Sequence, residues 1–390
     1  MILIVSFNAR AIAQLAKNMG LEVAIVDFWG DQDLFPLSEK VFTVFKPKFK
    51  SYSAFPDQRQ NEEKLVDLAF QVISKEKIDS VLIGSGLDDR PDLWERINSA
   101  VPILGNSPEC VRRVRNLLEV QNKIQQENIK FPLTLLSTDT SEIEDFAARV
   151  GFPLVFKPLK TLGGVGIRLI QNESELLNFF EKYSGNLNGY YVQEYVRGEN
   201  ISTTIVGNKN DFKVLSINEQ LIGIKKLGTN LPFKYCGNII PFDCSPEIAH
   251  RIKLISIQIS RMFKLSGVFG IDFVLQGNTP YFMEVNPRFP GTIELLAMIS
   301  QLNAVKLHLD AVQGSIPAHL EKFRGFAMKC VLFAKKVIVT PDFEHLPHIY
   351  DIPPPNILLM PEDPICTVQL SDRNRERLQK KLNQMFLKIQ

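Results

Sequence analysis

The chain has 390 residues, 45% of them hydrophobic, which is more than one ordinary core absorbs and points to two or three domains of a soluble globular protein. Forty-five Lys+Arg against 43 Asp+Glu leave a formal charge of +2, so nothing electrostatic favours nucleic acid or an anionic membrane, and a small-molecule partner is expected. The opening MILIVSFNAR has no basic segment or small-residue cleavage site, and no apolar run reaches the roughly 18 residues of a membrane span, so neither secretion nor insertion is expected.

In chain order, Ile2 to Ser6 reads as a buried strand, Asn8 as the cap of a helix from Ala9 to Met19, and Glu22 to Val26 as a second strand ending at Asp27. A helix from Asn61 to Lys75, a strand from Ser80 to Gly84 and a short apolar run from Val101 to Leu104 continue the alternation, which implies a mostly parallel sheet. Its ligand crevice is expected beyond the strand ends, at Ser6 to Arg10 and Gly84 to Asp89. The G-x-G-x-x-G fingerprint is missing, which argues against NAD.

Ser107-Pro-Glu starts a helix, and the amphipathic run Val111 to Asn128 closes at Phe131-Pro132. A helix at Ser141 to Val150 leads to a hairpin, Leu154 to Lys157 and Ile167 to Ile170, whose tip is rich in glycine. Strands and loops from Tyr190 precede a long helix, Pro246 to Lys264, and a second hairpin, Val268 to Leu275 and Tyr281 to Val285, turning at Gly277-Asn278. The last 70 residues read as a small α+β cap, with a strand at Phe326 to Ala334, prolines at 353 to 355, a strand at Ile365 to Leu370 and a helix from Arg373 to Leu387. The domains expected are 1–107, 108–320 and 321–390.

The five cysteines, Cys110, Cys236, Cys244, Cys330 and Cys366, are scattered and form no C-x-x-C pair, as expected for reduced thiols in a cytoplasmic protein without structural zinc. His250, His308, His319, His345 and His348 lie outside the segments below and read as surface or core residues, so no Ser-His-Asp or Cys-His machinery is expected.

Three segments carry chemistry. In the first, Lys157 leaves a strand just before Gly163, Gly164 and Gly166, a tip at which backbone N–H groups can approach phosphate; an empty hairpin tip has equal standing. In the second, Gln193-Glu194-Tyr195-Val196-Arg197-Gly198-Glu199 ends a strand that could offer backbone groups to an adenine edge and a carboxylate to ribose, with a solvated strand end as the plain alternative. In the third, Asp272 stands on one strand of the second hairpin, with Glu284 and Asn286 on the same face of the other and Arg288 just beyond. Three hard oxygen ligands suit magnesium, and ion pairing with Arg288 or a lysine is the competing explanation.

In order and spacing, these segments together with Lys123 resemble the ATP-grasp superfamily over about residues 1 to 310. The Asn-Pro-Arg ending is similar to that of biotin carboxylase, carbamoyl phosphate synthetase and the purine-pathway carboxylases, and SFNARAIAQLAKNMG resembles the opening of largely archaeal ATP-dependent carboligases. The resemblance implies an α/β and α+β fold: a Rossmann-like pre-ATP-grasp domain, two lobes clasping ATP, and a small C-terminal domain. It implies that Lys123 and Lys157 touch ATP phosphates, that Gly163, Gly164 and Gly166 form a mobile loop, that Glu194, Tyr195 and Val196 line adenine, and that Glu199 holds ribose. Asp272, Glu284 and Asn286 would coordinate one or two Mg2+ (or Mn2+), and Arg288 would bind the acyl phosphate. The acid is expected between Arg288 and Asn8, Ala9, Arg10, Gly84, Ser85 and Gly86, where the first helix points its N–H groups at an anion. Tyr195 departs from the lysine of some members, and no biotin-carrier or bicarbonate set can be picked out. The expected activity is carboxylate–amine or carboxylate–thiol ligation through an acylphosphate, with a bicarbonate-using carboxylase or a non-catalytic ATP-binding module as alternatives and a homodimer as the expected assembly.

Overall fold

The computed structural model describes residues 1–46, 58–160, 163–183, 186–320, 322–343 and 346–389; His345 lies outside them. The first sheet is fully parallel, in the order Lys40–Thr43, Val23–Asp27, Ile2–Ser6, Ser80–Ile83. Its strands read as unbroken apolar runs because both faces are covered: Leu3 and Val5 pack in one buried cluster and Ile4 in another. The run at 101 to 104 makes only an isolated bridge, Val81 with Ile103.

Helix Arg10–Lys17 begins one residue later than its pattern suggests and is not capped by Asn8. The Asp27 carboxylate, at the end of the neighbouring strand, accepts from the Ala9 N–H at 2.8 Å and takes that role across the strand ends. The run after Ser107 is likewise two helices, Pro108–Arg115 and Leu117–Gln126. Asn116 breaks them, leaving helical backbone angles and accepting from the Glu119 N–H.

A small antiparallel sheet, ordered Thr134–Leu135, Tyr190–Glu194, Leu154–Pro158, Arg168–Ile170, has its own core of Ile143, Phe146, Phe156, Phe179 and neighbours. Residues 195–198 carry the chain from it into an antiparallel sheet of eight strands. That sheet begins with the hairpin Ser266–Gln276 and Thr279–Asn286 and continues through Glu199–Asn208, Phe212–Ile222 and Tyr235–Ile240. The tail adds Phe326–Phe333, Pro364–Asp372 and Ile349–Tyr350 to the same sheet, so the strands of 321–390 are hydrogen-bonded into the central layer at Tyr235–Ile240. Their helix, Arg375–Ile389, covers a local core of Leu378, Leu382 and Met385. The first and large sheets share one buried cluster that includes Ile4, Ile12, Leu82, Val206 and Leu296. The small sheet therefore has a core separate from the cluster that joins the other two sheets. All five cysteines are free thiols. Among the described residues no helix is long and apolar enough to cross a membrane.

Candidate active site

The three sheets border one cleft of about 1240 Å3. On its floor, Gly277, at φ +58°, and Asn278 turn the large sheet's first hairpin and pair Phe273 with Phe282; a register shift between Asp272 and Phe273 then places Asp272 opposite Glu284 and Asn286 opposite Gly270. Asn286 Nδ2 donates to Asp272 Oδ2 at 3.0 Å, bringing the three expected side chains together. Burial, and then the adjacent Glu284, push the Asp272 carboxyl up to about 7, against hydrogen bonds from Asn286 and Gln220. Two mutually repelling carboxylates and an amide are the donor set a hard cation satisfies, with phosphate and water completing the shell. Among the described residues no three His, Cys, Asp or Glu side chains cluster to hold a metal by themselves.

Above this floor stands a guanidinium pair that sequence reasoning half found. Arg288 lines the cleft as expected, and its Nε donates to Asp88 at 3.0 and 3.1 Å. Arg115 was not expected; it lines the cleft and reaches Glu284 at 3.2 Å, Asp89 at 3.3 Å and Asp88 at 3.4 Å. The two cations hold the buried Asp88 carboxyl below its ordinary range despite the opposing effect of burial. Lys123, expected at the phosphates, is not among the cleft-lining residues. The break at Asn116 explains the exchange: the cation that reaches the floor is at the end of the first helix, while Lys123 lies two turns into the second, whose Val120 and Ile124 face the core.

Lys157 lines the cleft from the small sheet, and burial lowers its pKa while Glu284 raises it. Gly163, Gly164 and Gly166 take φ of +60°, +79° and +85°, and the Gly163 carbonyl accepts from the Tyr235 N–H at 3.2 Å. An added Cβ on Gly164 would run into the Phe233 carbonyl, so the glycine permits the tip to rest on the large sheet. Gly163 and Gly164 line the cleft; Gly166 packs on Pro158 instead.

Glu194, Tyr195 and Val196 line the cleft at the crossing between sheets. The Glu194 carboxylate is engaged by the Leu133 N–H at 3.1 Å, so what this segment offers a ligand is backbone. Glu199 is exposed and outside the lining, whereas Gly198, Asn200 and Ser202 border it. Alternation along the strand sends the expected ribose carboxylate to the other face.

At the first sheet, Asn8, Ser85 and Gly86 border the cleft but Gly84 and Arg10 do not. The two glycines answer to packing: a Cβ on Gly84 would meet Ser6 and one on Gly86 would meet Phe7. Arg10 is buried away from the cleft, with both terminal nitrogens on Glu294, at 2.5 and 2.7 Å, and Nε on Asp351 at 2.6 Å. Neither the anion site nor a surface pair with Asp27 or Glu22 describes it.

Residues 114–292 match the family described as ATP-grasp domain. The chain carries an ATP-grasp domain. An uncharacterized protein of Methanocaldococcus jannaschii is 26% identical over 373 residues, 94% of this chain and 87% of that protein. The carbamoyl phosphate synthase large chain of Clostridium acetobutylicum is 20% identical over 265 residues, 66% of this chain but only 24% of its own length. Among solved structures, the biotin carboxylase domain of Hydrogenobacter thermophilus 2-oxoglutarate carboxylase superposes with a TM-score of 0.75 at 15% identity, covering 98% of this chain and 88% of that one; it was solved as a dimer with MgADP, ADP and bicarbonate. The expected fold, ATP-grasp with mixed α/β content, is therefore the one observed.

Proposed function

We propose that this chain is an ATP-dependent ligase that activates a carboxylate as its acylphosphate and passes the acyl group to an amine. The observation that carries the reading is the pair Asp272 and Glu284, adjacent carboxylates of which Arg115 reaches only Glu284, at the floor of a cleft that Lys157, Arg115 and Arg288 enter from its walls. Mg2+ held by Asp272, Glu284 and Asn286 would neutralise phosphate charge. Lys157 and Arg115 would hold the phosphates of ATP, the backbone at 194–196 its adenine, and Gly163 and Gly164 would keep water from the reacting atoms. Arg288, steadied by Asp88, would orient the acid in line with the γ-phosphate. The carboxylate oxygen bonds to the γ-phosphorus as ADP leaves. The amine nitrogen then bonds to the acyl carbon while the C–O bond to phosphate breaks and phosphate departs with the electron pair; one ammonium proton goes to phosphate and one to solvent.

Bicarbonate in the biotin carboxylase complex supports a second reading in which the acid is bicarbonate and the intermediate carboxyphosphate. Coupled ADP release from the full chain, supplied with Mg-ATP and panels of carboxylic acids, amines and bicarbonate, separates the readings by the pair that stimulates turnover. Glu284→Gln should abolish that turnover and leave the thermal midpoint in place. A wild-type chain that binds Mg-ATP yet releases ADP with no pair would be a binding module, and a Glu284→Gln variant that kept full turnover would remove the metal assignment.

A further inference from the structure

Beyond the guanidinium pair, the cleft runs to the carboxyl edge of the first sheet, where its lining includes Asp31 and Asn61. Asp31 follows strand Val23–Asp27, and Asn61 lies in the opening turn of helix Gln58–Lys75, which enters from the same edge. Asp31 is 6% exposed, and its Oδ2 accepts one long hydrogen bond, 3.3 Å, from Asn8 Nδ2. Arg10, the cation on this side, makes its ion pairs with Asp33, Glu294 and Asp351 instead. Burial and the neighbouring Asp351, Asp27 and Asp33 hold the Asp31 carboxyl well above its ordinary range, with Arg10 opposing.

Asn61 is the independent sign. Its side chain is 8% exposed, yet Oδ1 has no hydrogen-bond partner. A buried acceptor left unmade costs stability, and so does a carboxylate buried among like charges. Two such costs on one wall of one cleft are explained together by a ligand that brings donors and positive charge. Glu62, beside them, is already paired with Arg90 at 3.1 Å, which leaves Asp31 as the carboxylate for that charge. A protonated amine supplies three N–H donors and one positive charge. A carboxylate or phosphate supplies neither, and would meet Asp31 with repulsion.

On the ligase reading above, we propose that this edge binds the nucleophile of the reaction as a protonated amine, with Asp31 as its charge partner and Asn61 Oδ1 accepting one of its N–H groups. The acid then lies on the Arg288 side of the cleft and the amine on the Asp31 side, with the phosphates between. The expected placement of the acid at Asn8, Ser85 and Gly86 is thereby reassigned to the amine.

The test is calorimetric titration of the full chain, without nucleotide, with the standard amino acids, putrescine and ammonium chloride, each organic amine beside its N-acetylated form. At least one free amine should bind, and N-acetylation should weaken it about tenfold or more, as loss of a charged hydrogen bond does. Asp31→Asn and Asn61→Leu should each weaken it by a similar factor while the thermal midpoint holds or rises, because each removes a group that destabilises the empty protein. Residues that merely supported the fold would instead lose binding and midpoint together, and that result would overturn the assignment. So would equal binding of the N-acetylated form, wild-type affinity in both variants, or no binding by any free amine. Mg-ATP titrated into the same samples keeps the two readings apart. Normal nucleotide binding with no amine binding removes the amine subsite alone, whereas a wild-type chain that fails to bind Mg-ATP removes the ligase reading beneath it.

Discussion

Two clusters of arginines and carboxylates in this chain use the same chemistry to opposite ends. Around Arg10, three carboxylates are drawn onto one guanidinium: Glu294 on its terminal nitrogens, Asp351 and Asp33 on Nε, with Lys329 closing the far side at 3.8 and 3.9 Å. The Tyr350 ring lies over it, 4.9 Å from centroid to Cζ, and the guanidinium and Glu294 are buried. Around Asp88, two arginines are held at a cleft wall, and below them Asp272 and Glu284 repel one another without a cation of their own beyond a 3.2 Å reach from Arg115. Charged composition does not separate these regions; what separates them is whether the charge is matched by protein alone. A matched, buried cluster joins elements. An unmatched one facing a cavity is where a ligand belongs.

The sharpest way to break this contrast is to remove the central cation of the matched cluster. Arg10→Met strands the buried Glu294 and the half-buried Asp351 and Asp33 and should cost about 3–5 kcal/mol in urea unfolding, whereas Glu284→Gln, at the cleft, should change stability by less than about 1 kcal/mol. Equal effects from the two would show that the clusters do not differ in kind. The next largest effect belongs to the cleft. Arg288→Met should lower kcat/KM for ligation about a hundredfold and leave ATP affinity nearly unchanged, as loss of one positioned charge does. If ATP affinity fell and acid affinity held, Arg288 would belong to the nucleotide.

The contrast also explains which residues could be read from the sequence. Asp272, Glu284 and Asn286 were legible as neighbours because a two-residue turn marks the hairpin, but the turn's own register would set Asp272 against Met283, and the shift between Asp272 and Phe273 that brings it opposite Glu284 has no signal in the local pattern. Lys157 and the glycine tip were legible from their own hairpin in the same way. Arg115 was not: it ends one helix where the amphipathic pattern runs on smoothly into a second, and only the angles at Asn116 show the break. Arg10 was misread because its partners Glu294 and Asp351 lie 284 and 341 positions away, beyond any periodicity. Likewise the C-terminal strands announce themselves as strands, but nothing in their pattern says they pair with Tyr235–Ile240.

A third effect is smaller. Lys157→Ala should weaken ATP binding by about 2 kcal/mol, the worth of a charged hydrogen bond, with little change in unfolding, since Lys157 is already partly desolvated in the empty cleft. Calorimetry reads the affinity directly, and an unchanged value would count against a phosphate contact.

The smallest effect concerns His308, a sealed group whose charge state is set by packing alone. Its ring lies 4.4 Å from that of Phe289, Nδ1 accepts from the Val268 N–H at 2.8 Å, and Nε2 therefore carries the proton and donates to the Leu104 carbonyl at 2.9 Å. Burial lowers its pKa from 6.5 to about 4. The folded value is below the unfolded one, so the stability this site contributes is complete above pH 6.5 and is lost as pH falls toward 4, because the unfolded chain takes up the proton first. In His308→Gln, whose amide can accept at one end and donate at the other, that pH-dependent loss should disappear, a difference on the order of 2 kcal/mol across the window. Urea unfolding of both proteins at several pH values measures it, and parallel curves would assign the slope to other groups. ATP affinity should not follow the same slope, since His308 lies outside the cleft lining. An affinity that tracked it would couple the sealed interior to the site and blur the division between the two clusters.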